Sequence, residues 1–520
     1  MRGIFFATVV GAITGGSVVD AQAVQQGPLS VIDWLDDPAK TQGAQPRVMA
    51  APDLLTEPPV TTSAMIPEVL VRPLGQDAPR YIGLVPSAVT GLPASLWSGS
   101  APQDLVRLIE KLPDARLPAA NALLYTLLLA ETDAPQGGKT GLDALTLARV
   151  SKLMALGALD PAESLIQQAG PSTSPAHFAL WADISLLTGQ EDAPCAVLHT
   201  SPHLASDYGL RIFCEARRGN WENAALMHGS ATALGLLSRE KLNVLARFLD
   251  PDYFEDAAEL PPPRTIDPLC FRLFEAIGEP LATGPLPRAY AVADLRDLAG
   301  WKSQLEAAER LTRTGALSDN RLLGIYSDRK PAASGGIWDR VSALRRFETA
   351  LATRSNGAIS KTLPQVWNAM REAQLEVTFA GLFGAELSAL SLDAPAAQIA
   401  LEVGFLSPAY EVVANRAAQT APPLLVAIAR GEAPVVRPEK PLERAVFEAF
   451  TAPTPRSDII DVAQGGALGA AILRTLMLLH DGSGGDAAAL RDALSTLRAL
   501  GLEDTARRAA LQILLLERPA

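Results

Sequence analysis

Only three cysteines occur in the 520 residues, Cys195, Cys214 and Cys270, and thiol chemistry is the most specific chemistry the chain offers. Cys195 falls at the start of one expected helix and Cys214 near the end of the next. Their midpoint lies between Leu204 and Ala205, inside the expected turn. Antiparallel neighbours equidistant from their turn face each other. The spacing therefore predicts a Cys195–Cys214 disulfide closing a loop of about 20 residues and contributing on the order of 3 kcal/mol. The alternative is two reduced core thiols on adjacent helices. Cys270, within PLCFRLFEAIG, is expected to be a buried apolar thiol.

Other reactive-looking fragments fail on order or context. Ser238-Arg239-Glu240-Lys241, Ser318-Asp319-Asn320 and Lys139-Thr140-Gly141 match three signatures of penicillin-recognising serine enzymes. That chemistry needs the Lys-Thr-Gly element late in the chain on a strand, whereas here it comes first, in a Gly-rich loop between helices. Ser238 is expected to cap the helix REKLNVLARFL, and Ser318 to be a cap or turn residue. Gly138-Lys139-Thr140 resembles the end of a phosphate loop, but Asp133 stands where the required glycine would be, and no strand precedes it. Five histidines include no HExxH pattern, and Pro202 breaks any helix that would align His199 with His203. No catalytic, cofactor-binding or metal-ligating residue is assigned, and a non-enzyme without a cofactor is expected.

Composition narrows the partners. A net charge of −12 opposes nucleic acid, whose phosphates require a basic face. Arg340, Arg345 and Arg346 in WDRVSALRRFETAL are expected on a solvated helix face opposite Leu344, Phe347 and Leu351. Aromatic content is only 5% while Ala and Leu dominate, which favours close-packed helices and an all-α fold.

The N-terminus carries a processing signal. Arg2 precedes an apolar stretch, and Ala21-Gln22-Ala23 places small residues at the −3 and −1 positions of a cleavage site after Ala23. Export to a bacterial periplasm is expected, with release outside the cell as the alternative. The best later apolar run, Gly465 to His480, contains Arg474 and is too short to span a bilayer, so no integral membrane segment is expected after cleavage.

The elements that would position these residues divide as follows. Residues 1–23 are the signal peptide and 24–99 a Pro-rich, largely extended arm. Within the arm Val31, Ile32, Trp34 and Leu35 form a short amphipathic island, read either as a docking segment for a partner groove or as packing on the protein's own helices. Helical hairpins fill 100–258, a Pro-rich connection with a short helix covers 259–290, and a second array covers 291–520. ELPPPRTIDP is the best internal boundary, because proline cannot continue a helix. The last helix, EDTARRAALQILLLE, has one apolar and one charged face and suits a terminal cap. The tryptophans Trp181, Trp221, Trp301 and Trp338 sit within helical patterns and are expected in the core.

Between Leu142 and Leu237 an apolar helical stretch, a glycine and a second Ala/Leu-rich stretch recur, with turn glycines at Gly157, Gly189 and Gly219. The hairpins 153–166, 180–198 and 212–227 resemble the tetratricopeptide-like superfamily. That resemblance implies a helical-hairpin solenoid whose groove takes peptides or partner helices. The expected function is an exported periplasmic protein–protein interaction scaffold or adaptor with protein partners in the cell envelope. The alternative is a peptidoglycan-acting enzyme or a glycan-binding envelope protein.

Overall fold

Ala/Leu-rich segments bounded by glycine and proline are the material of short packed helices, and the chain uses them throughout. The computed structural model describes residues 82–296 and 298–516. These hold 25 α-helices and no β-strand, so the protein is all-α. The cleavage-site residues Ala21 and Ala23 and the island Val31, Ile32, Trp34 and Leu35 lie outside the described residues.

The repeating hairpins are formed by Gly138–Leu156 with Leu159–Ala169, Pro175–Thr188 with Asp192–Thr200, and Tyr208–Arg217 with Trp221–Leu234. Gly157, Gly189 and Gly219 turn each pair with φ of 85°, 77° and 84°, a region that L side chains rarely adopt. At Gly157 space is also decisive: a Cβ there would lie 2.4 Å from Leu311 Cδ2. The site thus records a close approach between the repeats and a helix far along the chain.

The Pro-rich stretch ends earlier than its composition suggests. Leu96 and Trp97, in a 3₁₀ turn at Ala94–Trp97, have no exposed surface, and Trp97 lies on Gly469 of the helix Leu468–Ser483. Residues 82–99 therefore belong to the folded body. Arg149 anchors this entry segment. Fully buried, it donates from Nε to Leu128 O at 2.6 Å and from its two terminal nitrogens to Ile82 O and Ala130 O, both at 2.9 Å.

The apolar side chains form two cores, and the chain visits the first one twice. That core runs from Ile82 to Ala293 and resumes from Phe405 to Leu511, whereas the second collects residues 291–406 together with Leu516. The Pro-rich segment at 259–268 is consequently no division of the core. Val244 and Leu245 before it pack in the same cluster as Leu269 and Phe271 after it. Arg247 holds the crossing by binding Glu279 at 2.7 Å and Ala258 O at 2.5 Å.

The last helix, Glu503–Leu515, departs from the terminal-cap expectation. It buries Ala506, Ala509, Ala510 and Leu511 against helices that include Pro118–Leu129, Pro423–Arg430 and Ala487–Ala499. Its small residues permit contact on several sides, so it is a central element of the first core. A single amphipathic stripe read along the sequence does not distinguish a cap from a helix enclosed by long-range neighbours.

Candidate interaction surfaces

Cys195 opens the helix Asp192–Thr200 and Cys214 closes the helix Tyr208–Arg217, with the 3₁₀ turn Pro202–Leu204 between them. The two are joined by a disulfide, with Cα atoms 4.9 Å apart. Cys270 is a buried free thiol whose pKa is pushed up to about 11 by burial and by Asp267. The disulfide fixes the base from which the next helix projects.

That next helix, Trp221–Leu234, is attached by a narrow stripe. Ala224 and Ala231 are its buried residues, and Met227 and His228 are half-buried, at the i, i+3, i+4, i+7 spacing of one helical face. The rest faces solvent, with Trp221 47%, Leu226 69% and Leu234 72% exposed. Leu236 and Tyr253 add exposed apolar surface nearby in sequence. Trp221 is therefore a surface residue, unlike the buried Trp181 and Trp301 and the half-buried Trp338. Its ring still meets Phe248 at 5.8 Å, and Phe248 meets the buried Phe213 at 5.4 Å, so the aromatic chain runs from surface to core. At the base of the helix Glu215 accepts from Asn220 at 3.1 Å and Asn223 at 2.9 Å. Burial would raise its pKa, but these bonds and His199 outweigh it and hold the carboxyl below its ordinary value.

A second apolar feature is a groove of about 430 Å³ lined by Leu401, Phe405, Pro423, Val436, Leu514 and Leu515, with Glu402 and Glu443 among its wall residues. Val435 beside it is 94% exposed.

A larger cleft, about 980 Å³, lies between the helices Pro268–Ala276 and Trp301–Thr312 and the loop around Thr283. Its carboxylates are mostly neutralised. Glu275 binds Arg272 and Arg296, and the buried Glu309 takes a two-pronged bond from Arg340 at 2.7 and 3.0 Å. Arg340 therefore does not lie on a solvated face; Arg346 does, and Arg345 is half-buried. Asp294 accepts from the Thr283 hydroxyl, and burial, reinforced by the nearby Glu275, raises its pKa.

The remaining sequence fragments are scattered. Ser238 caps the helix Arg239–Leu249 by accepting from the Lys241 amide at 3.2 Å, whereas Ser318 precedes its helix without a side-chain cap bond. Lys139, Thr140 and Gly141 lie in the first turn of the helix Gly138–Leu156 rather than in a loop. His199 is engaged with Glu215, and His203 sits in the 3₁₀ turn. Among the described residues no group of three or more His, Cys, Asp or Glu could hold a metal ion, and no helix is long and apolar enough to cross a membrane. Set against family models, curated proteins and solved structures, the chain matches none of them.

Proposed function

We propose that the protein is an exported adaptor of the bacterial periplasm, a tetratricopeptide-like helical-hairpin solenoid that recruits protein partners in the cell envelope. The observation that carries this reading is the helix Trp221–Leu234, which keeps large apolar side chains in solvent while a stripe of alanines suffices to hold it in place. Large apolar side chains left in solvent on a folded protein are a recurrent mark of an interaction site, and tryptophan is enriched at interface centres. The Ala21-Gln22-Ala23 signal and the disulfide both fit an oxidising compartment outside the cytoplasm. The acidic balance fits protein partners rather than nucleic acid.

The test is photo-crosslinking in periplasmic extracts from a probe at Leu226, read by mass spectrometry. The adaptor reading expects one recurrent protein, lost with Leu226→Asp and Leu234→Asp in a chain that remains folded. Capture that is absent or indifferent to those substitutions overturns it. Fractionation with N-terminal sequencing checks the export step, for which the mature chain should begin at Val24.

A second reading, an enzyme acting on peptidoglycan, draws on one observation: Asp294 in the large cleft has a raised pKa beside Glu275, the environment of a general acid. Release of soluble muropeptides by the purified protein, abolished by Asp294→Asn, would favour this reading over the adaptor.

A further inference from the structure

Next to the large cleft, and sharing Arg310 and Arg313 with it, is a cavity of about 430 Å³ lined by Asp114, Arg116, Arg288, Arg310, Arg313 and Gln374. Four arginines and one carboxylate residue are among its lining residues, in a chain whose net charge is −12. Composition does not explain such a concentration.

The charges are cancelled only in part within the protein. Asp114 is already bound to Arg288 at 2.8 Å. Arg310 donates to the carbonyls of Thr283 at 3.0 Å and Leu286 at 2.5 Å, which carry no opposing charge. Arg313 donates to Ala373 O at 2.7 Å, and its carboxylate neighbour Glu309, at 3.2 Å, is already committed to Arg340. Arg116 is exposed and has no hydrogen-bond or ion-pair partner among the described residues; its guanidinium lies beside Gly484, at the C-terminal end of the helix Leu468–Ser483. Burial, with Arg288 and Arg313 adding repulsion, holds the Arg310 guanidinium below its ordinary pKa. Like charges gathered at such cost are the arrangement by which proteins receive an anion, because guanidinium groups bind carboxylate and phosphate oxygens in pairs.

Gln374 ends a helix with φ of 57°, a conformation where glycine would be unstrained. Gln374 is among the lining residues of the cavity.

We infer that this cavity binds a small multivalent oxyanion, a molecule bearing phosphate or several carboxylates. The volume lies in the ordinary range for small-molecule sites, roughly 300–1,000 Å³, and the shared wall leaves the adjoining cleft for the remainder of a larger ligand. This site is independent of the apolar surface of the proposed adaptor.

Calorimetric titration of the full mature chain at low ionic strength, with pyrophosphate and with citrate, tests the inference; acetate serves as the monovalent control. Expected are one site per chain for at least one of the two multivalent anions, weaker binding of acetate, and about a tenfold loss of affinity with Arg116→Gln, the effect of one charged contact. Preference between the two anions distinguishes phosphate from carboxylate ligands. Gln374→Gly adds a readout that structural loss alone would not produce, since relief of the backbone should raise Tm while affinity falls. Absence of binding by both anions, or equal affinity in wild type, Arg116→Gln and Gln374→Gly, overturns the inference.

Discussion

Gln512 Oε1 accepts a hydrogen bond from the backbone amide of Ala119 at 3.0 Å, across 393 residues of sequence. Ala119 lies in the first turn of the helix Pro118–Leu129, whose N-cap residue, Leu117, has no side chain able to accept from those amides. The final helix thus supplies the cap that the local sequence lacks, and the first core is closed by a polar contact as well as by apolar packing.

Gln512→Leu should leave the Ala119 amide buried without an acceptor. The expected cost is about 1–3 kcal/mol, read by chemical denaturation. Gln512→Glu, which keeps an acceptor, should recover part of it.

Arg149→Met removes three buried hydrogen bonds and strands the carbonyls of Ile82, Leu128 and Ala130. Burial alone already pulls this guanidinium down to about 10, a measure of how much its three acceptors must offset. A loss of about 3 kcal/mol or more is expected, with earlier proteolysis near Ile82 as the local signature.

The disulfide gives a count. Denatured, unreduced mature protein should titrate one thiol, Cys270, and three after reduction. Three thiols before reduction would show that the bridge does not form. Replacing Cys195 and Cys214 together by serine should destabilise by about 3 kcal/mol and loosen the base of the helix Trp221–Leu234.

Asp183 predicts a pH dependence. Burial, reinforced by Asp267 and Asp207 and partly relieved by Lys241, pushes its pKa up to about 7 from an ordinary 3.8. A carboxyl with a raised folded pKa contributes stability that is full below the unfolded value and is lost as pH rises through the folded one. Stability from this group should therefore fall between about pH 4 and pH 7 and level off above. Asp183→Asn should be more stable than wild type at pH 8, by on the order of 1 kcal/mol, and nearly equal at pH 4. A gap independent of pH would exclude Asp183 as its source.

Local features were legible where the physics is local. The Gly157, Gly189 and Gly219 turns, the Ser238 cap and the pairing of Cys195 with Cys214 all depend on residues within about 20 positions, over which helical geometry relates spacing to direction. Trp221 was misplaced because helical periodicity shows which residues share a face but not whether anything covers it. Arg340 was misplaced because its partner Glu309 belongs to another helix, 31 residues earlier.

The amino-acid sequence alone determined the all-α class, the hairpin recurrence and the acidic balance, since each is a property of composition or short-range order. Tertiary structure alone decided that the last helix lies inside the first core, that 259–268 divides nothing, and that the arginines at 116, 288, 310 and 313 meet around one cavity. These relations join residues whose side chains have no local reason to be near each other. They arise only when small residues such as Gly157 and Gly469 let distant helices approach closely enough to bring them together.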